Sequence, residues 1–97
     1  MVNNLYAIYN ILSKRFNNVS EYPTDEYAKQ RILETGKAHP EYIKLDETEL
    51  YRIGCMDVET GLVTPLTEPV LVKIEESEYK TPIEQIEKDL TKAKAQA

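Results

Sequence analysis

Glu49-Leu50-Tyr51-Arg52-Ile53-Gly54-Cys55-Met56-Asp57-Val58-Glu59-Thr60-Gly61-Leu62-Val63-Thr64-Pro65 is the stretch whose reading decides the fold. Two runs of strand character, Leu50 to Met56 and Leu62 to Leu66, flank a loop that opens on Asp57 and closes on Gly61. Asp at the entry and Gly at the exit suit a hairpin with a four-residue loop. Gly61 takes a positive φ at no steric cost, and the Asp57 carboxylate accepts from loop N–H groups. With Asp57 opposite Leu62, Cys55 falls opposite Thr64 and Ile53 opposite Leu66 on one face. Arg52, Met56, Val63 and Thr67 then point the other way.

Toward the C-terminus, Glu68-Pro69 reads as a kink or bulge, because proline cannot donate to a ladder. Val70 to Ile74 alternates again, with Val70, Val72 and Ile74 inward and Leu71 and Lys73 outward. Glu75 to Lys80 is a charged linker. Thr81-Pro82-Ile83-Glu84 has the marks of a helix start: a Thr N-cap, Pro at the first helical position and Glu completing a capping box. Ile83, Ile86, Leu90, Ala93 and Ala97 recur at helical spacing as one apolar stripe, which suits either docking on the domain or a self-association seam. Residues 1–80 are thus expected to form a single domain, and 81–97 a C-terminal helix.

Toward the N-terminus, Glu41 to Glu49 is acidic and irregular, with Tyr42, Ile43 and Leu45 to anchor it. Thr24 is a fair N-cap after Pro23, and Asp25 and Glu26 place negative charge at the positive end of a helix dipole. The helix is expected over Asp25 to Thr35, with Ala28, Ile32 and Leu33 as the residues facing a sheet and Gly36 ending it. Leu5, Ala7 and Tyr9 share one face of an early strand and Tyr6 and Ile8 the other, so both faces are apolar and the strand is central. Asn10 to Phe16 fits either a bent strand or a short helical turn. Asn17-Asn18 reads as a loop, followed by a brief extended segment from Val19 to Tyr22. The order is β, short β, α, β, β, β, α. The fold class is α+β: a small antiparallel sheet of four or five strands, one helix on a face, and a C-terminal helix.

Composition narrows the function. The chain has 97 residues, 41% hydrophobic and 30% charged, and fits one domain with a modest core. It contains no membrane-length apolar run and no signal-peptide pattern, which predicts an intracellular protein. A single cysteine, Cys55, excludes an internal disulfide and a cysteine-cluster zinc site. The net charge of −5 argues against tight binding to duplex DNA, where phosphate contacts dominate. The charge is uneven: residues 1–40 hold five Lys or Arg against four acids, and residues 41–72 hold two against seven. An anion-binding face must therefore draw on the first half and Arg52.

Catalytic constellations are absent from the pattern. His39 is the lone histidine and precedes Pro40, so a loop-pinning hydrogen bond is its expected role. Cys55 has no basic neighbour on its face and reads as an inert thiol. Three unclustered glycines exclude a phosphate-cradling loop. No catalytic residue, metal or cofactor is expected. Seven tyrosines with one phenylalanine and no tryptophan form a lopsided aromatic set. Core packing is the expected use of most of them. Some lie on strands beside basic residues: Tyr9 near Lys14, Arg15 and Phe16, and Tyr51 beside Arg52. Bases stack on exposed rings while Lys and Arg hold phosphates, which makes single-stranded nucleic acid, bound with little sequence specificity, the chemistry this set would serve.

The motifs Ile8-Tyr9-Asn10, His39-Pro40-Glu41, Tyr51-Arg52-Ile53-Gly54, Asp57-x-x-Thr60-Gly61 and Glu68-Pro69-Val70, in that order, resemble the small nonstructural protein of gokushoviruses, single-stranded-DNA phages of the Microviridae. The resemblance covers about residues 5–74. Asn10 stands where that family has Asp, the loop between Glu41 and Tyr51 is longer, and the segment from Thr81 is an extension. The resemblance implies a role in phage DNA replication in the host cytoplasm, through single-stranded DNA binding or a switch of synthesis toward packaged single strands. Arg31, Tyr51 and Arg52 coincide with family positions. The expected nucleic-acid-binding set is Tyr9, Lys14, Arg15, Phe16, Arg31, Tyr51 and Arg52. A homodimer or larger oligomer is expected, and docking on a viral or host replication protein through the acidic surface around residues 41–59 is the alternative.

Overall fold

The computed structural model describes residues 1–79. It comprises β1 (Val2–Asn10), β2 (Arg15–Tyr22), α1 (Asp25–Ala38), a 3-10 turn (Leu45–Glu47), β3 (Thr48–Asp57), β4 (Val63–Val72) and the single turn α2 (Glu76–Tyr79). The strands form one antiparallel sheet in the order β2-β1-β3-β4, so the α+β expectation holds. The two-sided apolar strand is central, paired with β2 on one side and β3 on the other. The helix expected from Thr81 lies outside the described residues.

The hairpin forms as its turn residues dictate. Asp57 Oδ1 accepts from the N–H groups of Glu59 and Thr60 at 2.9 and 3.3 Å, and Gly61, at φ 76°, donates its N–H to the Asp57 carbonyl at 2.7 Å. Cys55 lies opposite Thr64 and Met56 opposite Val63, as read. The pairing of Ile53 with Leu66 does not form. The register jumps from Gly54↔Pro65 to Arg52↔Val70, so the residues between Pro65 and Val70 bulge out of the ladder. Because pairing resumes beyond the bulge, the two runs read as separate strands, Leu62–Leu66 and Val70–Ile74, are one strand, β4.

Three other boundaries differ from the sequence expectation. Asn17 and Asn18 belong to β2, where Asn18 at φ 51° takes up the extra residue of a bulge between the Tyr6 and Ile8 pairings. Asparagine tolerates that left-handed conformation, so a loop-like pair sits inside a strand. Asn10 to Phe16 is neither alternative in full. A turn spans residues 11–14, held by Asn10 Oδ1 accepting from Leu12 and Ser13 N–H at 3.0 and 2.9 Å, and β2 starts at Arg15. Helix α1 runs past Gly36 to Ala38, with the His39 N–H reaching the Thr35 carbonyl at 2.8 Å. Gly36 is a packing notch rather than a stop, since a Cβ there would meet all three branch carbons of Leu45 at 2.6–2.9 Å.

One face of the sheet is covered. Thr24 caps α1 by accepting from Tyr27 N–H at 3.1 Å. The helix lays Ala28 and Ile32 on Tyr6, Leu50 and Val72, with Ile43 closing the cluster and Ile8, Tyr22, Leu45 and Ile74 around it. Glu78 of α2 is tied to α1 by Lys29 at 3.0 Å. No described element covers the opposite face, which leaves it available as a surface.

Candidate functional site

Register places three rings on the uncovered face. Tyr9 pairs with Phe16 of β2 and, across β3, with Glu49, while Tyr51 pairs with Ala7 on one side and Leu71 on the other. Directly opposed residues share a face. The rings of Tyr9, Phe16 and Tyr51 consequently meet: Tyr9–Phe16 at 4.9 Å, Phe16–Tyr51 at 5.5 Å and Tyr9–Tyr51 at 6.0 Å between centroids. Both contacts of Tyr51 are edge-to-face. Phe16 remains 49% exposed and Leu71 48%. The cluster floors a shallow hollow of about 440 Å³, bounded by Glu68 and Pro69 from the β4 bulge. A neighbouring apolar dent is lined by Ala7, Phe16, Asn17, Val19, Ile53 and Pro69.

The expected site divides into three groups. Tyr9, Phe16 and Tyr51 come together. Lys14 and Arg15 sit at the tip of the β1–β2 connection, next in sequence to Phe16, exposed and free of ion pairs among the described residues. Arg31 and Arg52 are elsewhere. Arg31 is on α1, on the other side of the sheet from the rings, 3.6 Å from Glu34 and at the rim of a cleft between α1 and β2. Arg52 alternates to the helix side of β3, where its Nη1 donates to Asp25 Oδ1 and Oδ2 at 3.2 and 3.1 Å. Tyr6 donates its hydroxyl to the same carboxylate and accepts from Asn4 Nδ2 at 3.1 Å. Burial and the Asp25 hydrogen bond push the Tyr6 phenol up to about 12. Arg52 thus fastens the start of α1 to the sheet.

Sequence reasoning missed Glu49, Glu68 and Pro69 as neighbours of the rings. Glu49 faces Tyr9 through the pairing of β1 with β3, strands far apart in sequence, and Glu68 reaches the hollow where the chain bulges. Glu49 is engaged: its Oε1 accepts from the Tyr51 hydroxyl at 3.4 Å. Burial first, and the Glu49 charge second, raise the Tyr51 phenol above its ordinary value. His39 Nδ1 lies 3.3 Å from Glu41 in an exposed loop, with its ring 5.7 Å from that of Tyr42, and Cys55 is a half-buried free thiol. Among the described residues no three His, Cys, Asp or Glu side chains cluster to hold a metal, and no helix is long and apolar enough to cross a membrane. No family model, curated protein or solved structure matches the chain.

Proposed function

We propose that this protein binds single-stranded DNA on the uncovered face of its sheet, as a phage replication-associated protein of the gokushovirus nonstructural type. The observation that carries the reading is the cluster of Tyr9, Phe16 and Tyr51, drawn from three adjacent strands onto an open face. Rings set across a sheet offer bases a stacking surface, and Lys14 and Arg15 at one end of it offer cations to the phosphates. With the Arg31 and Arg52 side chains directed elsewhere, phosphate contacts are few. Binding then discriminates against duplex DNA and has a shallow salt slope.

Phe16→Ala is the sharpest probe, because Phe16 is half-exposed on an edge strand. Titration of labelled single-stranded and duplex oligonucleotides at two salt concentrations should show single-strand preference. Phe16→Ala should weaken binding by about 1–3 kcal/mol, the contribution of one stacked base. The double variant Lys14→Ala, Arg15→Ala should weaken it further and flatten the salt slope. A parent protein that binds neither strand form at low salt would eliminate the reading.

In that event docking on a viral or host replication protein takes its place. Glu49 and Glu68 beside the rings favour a partner with basic side chains. Under either reading we propose that the chain works as a homodimer or larger assembly, since both sheet edges and a row of apolar side chains on β4 are uncovered among the described residues.

A further inference from the structure

Glu68 is the acid that lines the hollow, and no described residue engages it. Glu49 is held by Tyr51, whereas Glu68 is exposed and has neither a hydrogen bond nor an ion pair among the described residues. The bulge keeps it there. Pro69 has no N–H to give to the ladder, so this part of β4 is not drawn into the pairing that resumes at Val70. Glu68 thus lines the hollow together with Tyr9, Phe16 and Tyr51, its carboxylate unengaged among the described residues. An ionised carboxylate only accepts hydrogen bonds. A base stacked on the rings turns an edge toward it, and the bases differ in what that edge offers. Guanine presents two donors side by side, N1–H and the N2 amino group, which match two carboxylate oxygens. Cytosine and adenine present an amino group next to an acceptor nitrogen. Thymine presents one N–H between two carbonyl oxygens, which the carboxylate repels.

We infer that Glu68 makes the aromatic hollow a guanine-preferring subsite, an assignment that rests on the nucleic-acid reading above. The test is equilibrium binding of short thymine-only oligonucleotides and of the same oligonucleotides carrying one guanine, cytosine or adenine, to the parent and to Glu68→Gln. The guanine-bearing strand should bind the parent roughly tenfold tighter than the thymine-only strand, within the range that a bidentate base contact contributes. Glu68→Gln trades one acceptor for a donor, so most of that advantage should vanish. Binding of the thymine-only strand should hold or tighten, because a negative charge near its phosphates is gone. Equal binding of all four strands by the parent overturns the Glu68 assignment and leaves single-strand binding standing. The same ranking in Glu68→Gln as in the parent also overturns it. Binding of no strand at low salt removes both. Circular dichroism of Glu68→Gln confirms that the exposed substitution leaves the fold intact.

Discussion

Arg52 and Tyr6 show how one carboxylate sets the roles of its neighbours. Asp25 accepts from both, joining the first turn of α1 to β1 and β3. Hydrogen bonds to a charged group contribute about 1.5–3 kcal/mol when sheltered, and Arg52 is about one-third exposed, which lowers that figure. Arg52→Ala should therefore cost about 1 kcal/mol in urea denaturation while single-stranded DNA binding is retained. Loss of binding in a folded Arg52→Ala would place this residue back in the interface. The Tyr6 phenol adds a pH dependence. Its native value, about 12, lies above the ordinary 10.0, so the folded state holds the proton more tightly than the unfolded chain. The associated stability is complete below pH 10.0 and is lost as pH rises toward about 12. Tyr6→Phe should reduce the fall in stability across that alkaline window, as followed by denaturation at stepped pH.

At the scale of elements, α1 illustrates a glycine with an unexpected use. Gly-to-Ala in a helix interior ordinarily stabilises by about 0.5–1 kcal/mol. At Gly36 the new methyl would enter the Leu45 side chain, which packs there as the chain returns from the helix to β3. Forced overpacking costs about 1–3 kcal/mol. Gly36→Ala should be destabilising in thermal unfolding, and Leu45→Ala should lose less stability in the Gly36→Ala background than in the parent. Additive losses would show that the notch does not matter. The two hairpins differ in the same spirit. The β3–β4 turn is governed by Asp57 and Gly61 and follows its sequence, whereas the β1–β2 connection depends on the Asn10 carboxamide and on Lys14 and Asn18 at positive φ.

At the scale of the whole molecule, the dominant feature is apolar side chains left exposed among the described residues. Phe16, Val19, Leu62, Val63, Val70 and Leu71 are all more than 40% exposed. Surfaces of this kind mark interaction sites. Of the two edges uncovered among the described residues, β4 carries Pro65 and Pro69, which cannot donate to an incoming strand, while β2 has a bulge and no proline. Assembly should therefore pair β2 with a second chain or use the apolar stripe between Ile83 and Ala97. Light scattering at tens of micromolar should give at least twice the chain mass, and the amides of β2 should exchange more slowly with deuterium than those of β4. A monomer at that concentration would refute assembly. A mass that halves on truncation after Tyr79 would assign it to the terminal stripe.

What the sequence determined by itself is what local chemistry controls. The Asp57–Gly61 turn, the Thr24 cap, the two-sided β1 and the Ala28–Ile32 face follow from residues within a few positions of one another, and together they dictate an antiparallel sheet with one helix on it. The three rings were candidates in the sequence by their closeness to basic residues, but the pairing of Tyr9 with Phe16 came only with the structure, because β2 starts at Arg15 rather than at Val19. What only the tertiary structure decided depends on contacts distant in sequence. Arg52 sits beside Tyr51 in the chain and looked like its partner in phosphate binding, but alternation turned it to the covered side, where Asp25 was waiting. Gly36 looked like a helix stop because its partner, Leu45, lies beyond the following loop. The bulge at Glu68 and Pro69 was readable as a break. That it brings Glu68 to the hollow of the three rings follows from where pairing resumes, with Val70 opposite Arg52, a register made with the neighbouring strand rather than within the bulge.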